Sequence, residues 1–264
     1  MDDTATMPLL RADGITVTFA GISALTDVTL QVHEHELVGL IGPNGAGKTT
    51  LFNCVFGAVK PIRGTVTFAG RSISSLPTYK RARLGLSRTF QRIELFGGMT
   101  PRTHLLLAET AQRSKGALWK DIVGIGRPSE AQQERAAATL ELLGLTACAD
   151  DPIESLSLGR ARLVEVGRAL MTEPRLVLLD EPSSGLDRTE THALTDTLKQ
   201  VHAERGTAVL LVEHDVEMVR ALVQRLYVLD FGTLLAEGPT GAVLSDARVR
   251  EAYLGELASS KELE

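Results

Sequence analysis

The chain has little cysteine, no long apolar run and no excess of positive charge. Its two cysteines, Cys54 and Cys148, lie far apart and lack the spacing of metal ligands or of a disulfide framework, which indicates a reducing compartment. No stretch reaches the ~18 apolar residues of a membrane-spanning helix. The acidic start at Met1-Asp2-Asp3 lacks the pattern of a signal peptide. We therefore expect a soluble, cytoplasmic protein that reaches a membrane only through partners.

The charge balance argues against a protein that binds nucleic acid through a basic face. The chain has 28 Lys and Arg against 33 Asp and Glu, a net charge of -5, whereas neutralising phosphates takes clustered cations. The basic stretch Lys80 to Arg92 is predicted to be a solvated helix face. With 264 residues and 44% hydrophobic content, the chain can bury a substantial core.

Hydrophobic patterning predicts an α/β protein with a helical insertion. Strand-like alternation over 15–41 ends in the apolar run Leu37 to Ile41, and apolar residues recur at helical spacing from Thr103 to Leu143, where we see no convincing strand. Strand and helix signals then alternate, which is typical of a largely parallel sheet. The remaining predicted strands are Gly64 to Gly70, Leu176 to Leu179, Ala208 to Val212 and Leu226 to Leu229, and the remaining predicted helices are Lys48 to Phe56, Thr189 to Glu204 and Val216 to Gln224.

A glycine-rich loop follows the first buried strand and opens a helix, and it matches the pattern G-x-x-x-x-G-K-[ST]. Glycines let backbone N–H groups turn around a β-phosphate, and the helix N-terminus adds its positive end. We expect Lys48 to reach the β- and γ-phosphates and Thr49 to ligate Mg²⁺. The predicted ATP-binding residues of this loop are Gly42, Pro43, Asn44, Gly45, Ala46, Gly47, Lys48, Thr49 and Thr50.

An acidic pair and a histidine follow two later strands. Asp180 and Glu181 come directly after a buried strand, where Asp180 can hold Mg²⁺ through water and Glu181 can polarise an attacking water. His214 follows the strand Ala208 to Val212 and can donate to a γ-phosphate. The competing interpretations are a solvated turn for the acidic pair and a helix cap for the histidine. The loop upstream favours the catalytic roles.

Two further residues are predicted to contact the nucleotide. Gln91, at the entry to the helical insertion, can touch Mg²⁺ or the attacking water. Phe19, at the end of the first strand, can stack on adenine, an interaction worth roughly 1–3 kcal/mol, although a core or edge aromatic is nearly as good an interpretation. His33-Glu34-His35 has metal-ligand chemistry, but a solvated hairpin turn is the better interpretation of that segment.

The order of these motifs resembles that of the ATP-binding cassette (ABC) family across nearly the whole chain. The resemblance implies that Ser157 to Arg160 is the signature motif, Ser184 to Asp187 the D-loop and His214 the switch histidine. It also implies a head-to-tail dimer in which Ser157 and Gly159 of one subunit, with Asp187, help to enclose the ATP held by the other. Ser157 can cap the helix that follows it and offer that helix's N-terminus to the γ-phosphate.

The same resemblance implies one ABC ATPase domain over 8–256. The expected fold is a P-loop NTPase with a RecA-like core, an N-terminal antiparallel β subdomain and an inserted α-helical subdomain. We place the core at about 8–92 and 160–238, the helical subdomain at about 93–159 and a C-terminal tail at about 239–264.

A narrower likeness points to the Liv-type ATP-binding subunits of branched-chain amino-acid importers. It rests on the phosphate loop, on Arg88-Thr89-Phe90-Gln91 and on the ending Ala252-Tyr253-Leu254-Gly255. The likeness implies ATP and Mg²⁺ as cofactors and a peripheral position on the cytoplasmic face of the membrane. It also implies permease partners, a homodimer or a heterodimer with a second ATPase subunit, and indirectly a periplasmic or lipid-anchored solute-binding protein. The alternatives are an ABC ATPase for another solute such as urea, a soluble one acting on DNA or ribosomes, and a regulatory cassette without hydrolysis.

Three positions depart from the family's pattern. Arg160 and Ala161 stand where the family usually has glutamine, which predicts a signature that works less well, or only opposite a particular partner. His104 replaces an asparagine that usually precedes Leu-Leu, which bears on the surface through which the subunit couples to its permeases.

Overall fold

The computed structural model describes residues 7–89, 94–113 and 128–252, which divide into two compact units. The first unit comprises Met1–Arg81, Leu178–Glu181 and Ala208–Glu264, and the second comprises Ala82–Val177 and Pro182–Thr207. Gln91 and the ending Tyr253-Leu254-Gly255 lie outside the described residues. The domain boundaries expected from the sequence stay a prediction.

The strands and helices that the patterning predicts occur in the predicted order, together with several short elements that it does not predict. In chain order they are β1 (Leu10–Phe19), β2 (Ile22–Val32), β3 (Leu37–Ile41), α1 (Lys48–Phe56), β4 (Arg63–Phe68), β5 (Arg71–Ser72), α2 (Thr78–Ala82), β6 (Leu86–Arg88), α3 (Pro101–Arg113), α4 (Glu130–Leu142), α5 (Leu158–Leu170), β7 (Leu176–Asp180), α6 (Arg188–Arg205), β8 (Ala208–Val212), α7 (Val216–Leu222), β9 (Arg225–Asp230), β10 (Thr233–Pro239) and α8 (Thr240–Ser245).

The first unit contains an antiparallel sheet with the order β2-β1-β4-β5. Alternate residues of β1 are buried, among them Ile15 and Val17, which is the period-2 pattern of a strand with one face on a core. The turn from β1 to β2 passes through Ala20 and Gly21, both with positive φ, as a tight hairpin requires. The segment His33-Glu34-His35 lies in a turn after β2, which confirms the predicted turn.

The first unit also contains the parallel strands that lead to the phosphate loop. Leu40 of β3 lies beside Val212 of β8 on one side and Tyr227 of β9 on the other, both in parallel register. All five residues of β3 are buried, as expected for a strand covered on both faces. The strand order is β10-β9-β3-β8-β7, so β8 separates the phosphate loop's strand from the strand that ends in Asp180.

The second unit is mainly helical, as the sequence predicts for the part that the structure describes. Helices α3, α4 and α5 pack together, with Leu105, Leu140 and Val164 almost completely buried. Side-chain caps mark three helix starts, since Ser129, Ser157 and Asp187 each accept a hydrogen bond from a backbone N–H three residues later. The unit also contains β6, a strand too short for sequence patterning to predict. None of the helices among the described residues is long and apolar enough to span a membrane.

The prediction of a solvated helix face for Lys80 to Arg92 is wrong for Arg81. This side chain is 2% exposed, and its guanidinium donates to the carbonyl oxygens of Cys54 and Val55 at 2.8 and 2.6 Å. Those carbonyls are among the last of α1, which have no partner within the helix. The cation therefore satisfies the negative end of the helix whose other end is the phosphate loop.

Candidate nucleotide site

At two positions of the phosphate loop, the backbone has a conformation that only glycine adopts readily. Gly42 and Gly47 have φ of 150° and 102°. A Cβ on Gly42 would overlap the Leu229 carbonyl oxygen, and one on Gly47 would lie 2.7 Å from the Ala24 carbonyl oxygen. Both the dihedral angles and the packing therefore require glycine, and α1 begins immediately after the loop.

Lys48 is the first residue of α1 and is 5% exposed. Its ammonium donates to the carbonyl oxygens of Gly42 and Pro43 at 2.6 and 2.9 Å. The cation is thus held against the loop itself, at the helix end where the macrodipole already favours an anion.

The acidic pair lies where β7 ends beside β8. Asp180 is 2% exposed, and the next residue, Glu181, donates its backbone N–H to the Val212 carbonyl oxygen at 2.9 Å. Glu181 also has φ of 47°, a left-handed conformation that costs a non-glycine residue about 1 kcal/mol or more. This sharp turn and its hydrogen bond fix the direction in which the Glu181 carboxylate leaves the sheet.

His214 contacts the acidic pair directly. Its Nε2 lies 2.9 Å from Oε1 of Glu181, and both side chains are partly buried. Glu213 is 2% exposed, and its carboxylate accepts hydrogen bonds from the backbone N–H groups of His214 and Asp215 at 2.9 and 3.2 Å. The sequence predicts His214 at the site but not its pairing with Glu181 or the ordering role of Glu213. A carboxylate directly before the histidine at a strand end is the signal that could have indicated Glu213.

In the second unit, the segments around Ser157 and Asp187 are held together by a residue that the sequence analysis missed. Ser157 caps α5 as predicted, its Oγ accepting the N–H of Arg160 at 3.4 Å. The Glu190 carboxylate accepts the N–H of Gly159 at 3.3 Å and the N–H of Asp187 at 3.4 Å. A Cβ on Gly159 would lie 3.1 Å from Glu190 Oε1. Glu190 thus bridges the start of α5 and the start of α6.

Phe19 and Gln91 are the two predicted nucleotide contacts outside the motifs described above, and their roles stay predictions like those of the other site residues. Phe19 ends β1 and is 50% exposed, so it is not a core residue and remains available to a base. Gln91 lies outside the described residues.

His104 is completely buried at the start of α3 and holds the segment before it. Its Nε2 lies 2.9 Å from the backbone nitrogen of Phe96, its Nδ1 lies 3.0 Å from the Thr100 carbonyl oxygen, and its ring stacks on Phe96. These contacts require a neutral ring with the proton on Nδ1. Burial is the main reason that the pKa of His104 lies below its ordinary value of 6.5, and the cation of Arg168 lowers it further.

Replacing His104 by asparagine, the usual family residue, should remove a pH-dependent contribution to stability. Because the folded-state pKa is lowered, the stabilisation by neutral His104 is fully present above 6.5 and is lost as pH falls below that value. Urea unfolding of wild type and His104→Asn between about pH 7.5 and pH 5 measures this. The wild type should lose more stability over that range than the variant, and equal losses would contradict the buried neutral ring.

Comparisons with known proteins agree with this geometry. Residues 25–184 match the ABC transporter family, and residues 233–258 match a family described as branched-chain amino acid ATP-binding cassette transporter. The first match includes the phosphate loop, the acidic pair and the residues that cap α5.

Similarity to individual proteins extends over almost the full chain. The chain is 40% identical over 252 residues to the high-affinity branched-chain amino acid transport ATP-binding protein LivG of Salmonella typhimurium, covering 94% of this chain and 98% of LivG. It is 38% identical over 252 residues to BraF of Pseudomonas aeruginosa, with the same coverage. A crystal structure of the ADP conformation of MJ1267, an ATP-binding cassette of an ABC transporter, superposes with a TM-score of 0.84 at 34% identity, covering 95% of this chain and 100% of that one.

These matches confirm the α/β cassette fold and the ATPase activity predicted from the motifs. The chain belongs to the ABC transporter family and is one of its ATP-binding, ATP-hydrolysing cassettes.

Proposed function

We propose that this chain is the ATP-hydrolysing subunit of an importer for branched-chain amino acids or a related small polar solute. The observation that carries the proposal is the match of residues 233–258 to the branched-chain amino acid cassettes, supported by the likeness to LivG and BraF over almost the whole chain. The solute itself would be selected by other chains.

In the proposed site, ATP lies at the N-terminus of α1 with its phosphates in the loop 42–50. Lys48 exchanges the carbonyl oxygens that it now contacts for phosphate oxygens. Mg²⁺ would be held by Thr49, Asp180 and Gln91 together with the phosphates. The buried Asp180 carboxylate fits this ion, which prefers one or two carboxylates plus substrate oxygens. No group of three His, Cys, Asp or Glu suited to a metal ion occurs among the described residues.

Glu181 and His214 are the proposed catalytic pair, with Gln91 completing the surroundings of the attacking water. Glu181 accepts a proton from that water, and the strained turn after β7 holds its carboxylate in place. His214, 2.9 Å from that carboxylate, keeps it oriented and can donate to the γ-phosphate once the phosphate is present. Phe19 stacks on the adenine.

The second half of each site is proposed to come from a partner cassette. Ser157 and Gly159 at the start of α5 offer backbone N–H groups to the partner's γ-phosphate, and Asp187 lies at the start of α6 nearby in the same unit. The Gly159 N–H now contacts Glu190 at 3.3 Å, a long hydrogen bond that a phosphate oxygen can replace. Permease subunits would hold two such cassettes at the cytoplasmic face of a membrane, with a solute-binding protein acting from the other side.

Substitution of Arg160 tests whether this residue takes part in the half-site that a partner cassette provides. We expect Arg160→Gln to leave ATP binding to the isolated subunit unchanged and to leave dimer ATPase activity equal or higher. The reason is that an exposed cation in the first turn of α5 opposes the helix dipole. Steady-state turnover of the assembled dimer measures this, with Lys199→Gln as a control that removes a cation from the exposed face of α6. A large loss of dimer activity in Arg160→Gln alone would mean that the guanidinium serves the partner's nucleotide.

The proposed function is tested by purifying the tagged chain from membranes of cells that express it with its permeases. We expect integral membrane proteins to copurify and the ATPase activity of the complex to rise with leucine-loaded binding protein. Stimulation of the ATPase activity by urea but not by leucine would mean that urea is the transported solute. Recovery with ribosomes or nucleic acid in place of permeases would contradict the importer.

A further inference from the structure

Helix α5 carries a row of three charged side chains, of which the first two are buried. Arg162, Glu165 and Arg168 recur at a spacing of three residues, which places neighbours in the row one turn apart on the same side of a helix. Arg162 is 7% and Glu165 6% exposed. Charged groups are rarely buried so deeply unless specific partners compensate them.

One set of partners belongs to the segment that begins at Glu94. The Glu165 Oε1 accepts the backbone N–H of Glu94 at 3.0 Å, and Arg168 donates to the Glu94 carbonyl oxygen at 2.7 Å. Both polar groups of one backbone residue are therefore held by α5. Glu94 follows Gln91 by three positions in the sequence.

The other partner belongs to the segment Ser184 to Asp187. Arg162 donates to Glu165 Oε2 at 3.3 Å and, with its other terminal nitrogen, to the Ser184 carbonyl oxygen at 3.4 Å. Burial raises the pKa of Glu165, opposed by the Glu94 N–H and by Arg162. Arg162 and Glu165 are therefore costly to bury, and removing either one leaves the other as a buried charge without compensation.

We propose that Glu165 is a positioning residue for ATP hydrolysis that fixes two separate backbone segments on one helix. It holds the segment at Glu94 directly, and it holds the segment Ser184 to Asp187 by orienting Arg162. The activity part of this inference rests on the proposed role of Asp187 at a nucleotide, whereas the structural part concerns the second unit alone.

Amide hydrogen exchange of the full-length chain tests the structural part with graded variants. Glu165→Ala removes both contacts, so amides near Glu94 and in 184–187 should exchange about tenfold faster or more. Glu165→Gln keeps an oxygen for the Glu94 N–H but loses the charge that orients Arg162, so only 184–187 should accelerate. Asp196→Asn, which breaks an exposed pair with Lys199 on α6, is the matched control and should change neither segment.

Steady-state kinetics tests the activity part. Misplaced segments should lower kcat for ATP about tenfold in Glu165→Ala while KM stays within about twofold, because the phosphate loop is untouched. Arg162→Lys, which keeps the charge without the two-pronged geometry, should fall between wild type and Glu165→Ala. Unchanged exchange in both segments of Glu165→Gln and Glu165→Ala would overturn the proposal. Faster exchange with normal kcat would instead contradict the role of Glu165 in ATP hydrolysis, while its contacts to the two segments would stand.

Discussion

Glu181→Gln is expected to bind ATP but to hydrolyse it about 10²-fold more slowly or worse. The reason is that a neutral amide cannot accept a proton from the attacking water. The amide still has an oxygen in the position that now lies 2.9 Å from His214, and the backbone turn held by Val212 is unaffected. The fold and the nucleotide affinity should therefore survive the change. An ATP-stabilised dimer should accumulate, since the complex is trapped before hydrolysis.

Turnover, calorimetric ATP binding and size-exclusion chromatography with ATP and Mg²⁺ measure these three consequences separately. Glu141→Gln, at an exposed position of α4, is the control for loss of one carboxylate and should behave as wild type. Turnover near the wild-type value in Glu181→Gln would exclude Glu181 as the base.

Lys48→Ala is expected to fail one step earlier, at nucleotide binding. It removes the buried ammonium that now contacts Gly42 and Pro43 and that is proposed to face the β- and γ-phosphates. Hydrogen bonds to charged groups contribute about 1.5–3 kcal/mol each, so ATP affinity should fall about 100-fold. Calorimetry with ATP and with adenosine distinguishes the phosphate contact from a general effect.

Adenosine lacks phosphates, so its affinity should change little in Lys48→Ala. Lys60→Ala, at an exposed position in the segment between α1 and β4, removes a cation outside the phosphate loop and should affect neither ligand. Equal losses for ATP and adenosine would show that the loop had unfolded, which thermal unfolding of the nucleotide-free variant detects independently.

The parts of the site that the sequence predicts are those encoded within a few residues. The phosphate loop is recognisable because its glycines, lysine and threonine are contiguous and lie between an apolar run and a helix. The caps of α5 and α6 are local in the same way, since Ser157 and Asp187 each bond to a residue three positions ahead. Buried strand ends likewise predict where Asp180 and His214 lie.

The parts that the sequence does not predict depend on contacts between distant residues. Nothing near Arg81 indicates that it binds the end of a helix 26 and 27 residues earlier, and a basic stretch is more often solvated. Glu190 reaches Gly159 across 31 residues and Glu165 reaches Glu94 across 71. Such pairings depend on how the helices pack against one another. Hydrophobic periodicity shows which face of a helix is buried, but not which residues that face contacts.

We propose above that ATP hydrolysis by this cassette drives uptake of a branched-chain amino acid. The direct test of this proposal is uptake of labelled leucine into proteoliposomes. These contain the chain, its permeases and the binding protein, with ATP on the side of the cassette. We expect ATP-dependent accumulation of leucine with wild type, none with Glu181→Gln, and competition by isoleucine and valine. Leucine uptake that persists with Glu181→Gln, or ATP-driven uptake of an unrelated solute in its place, would contradict the proposal.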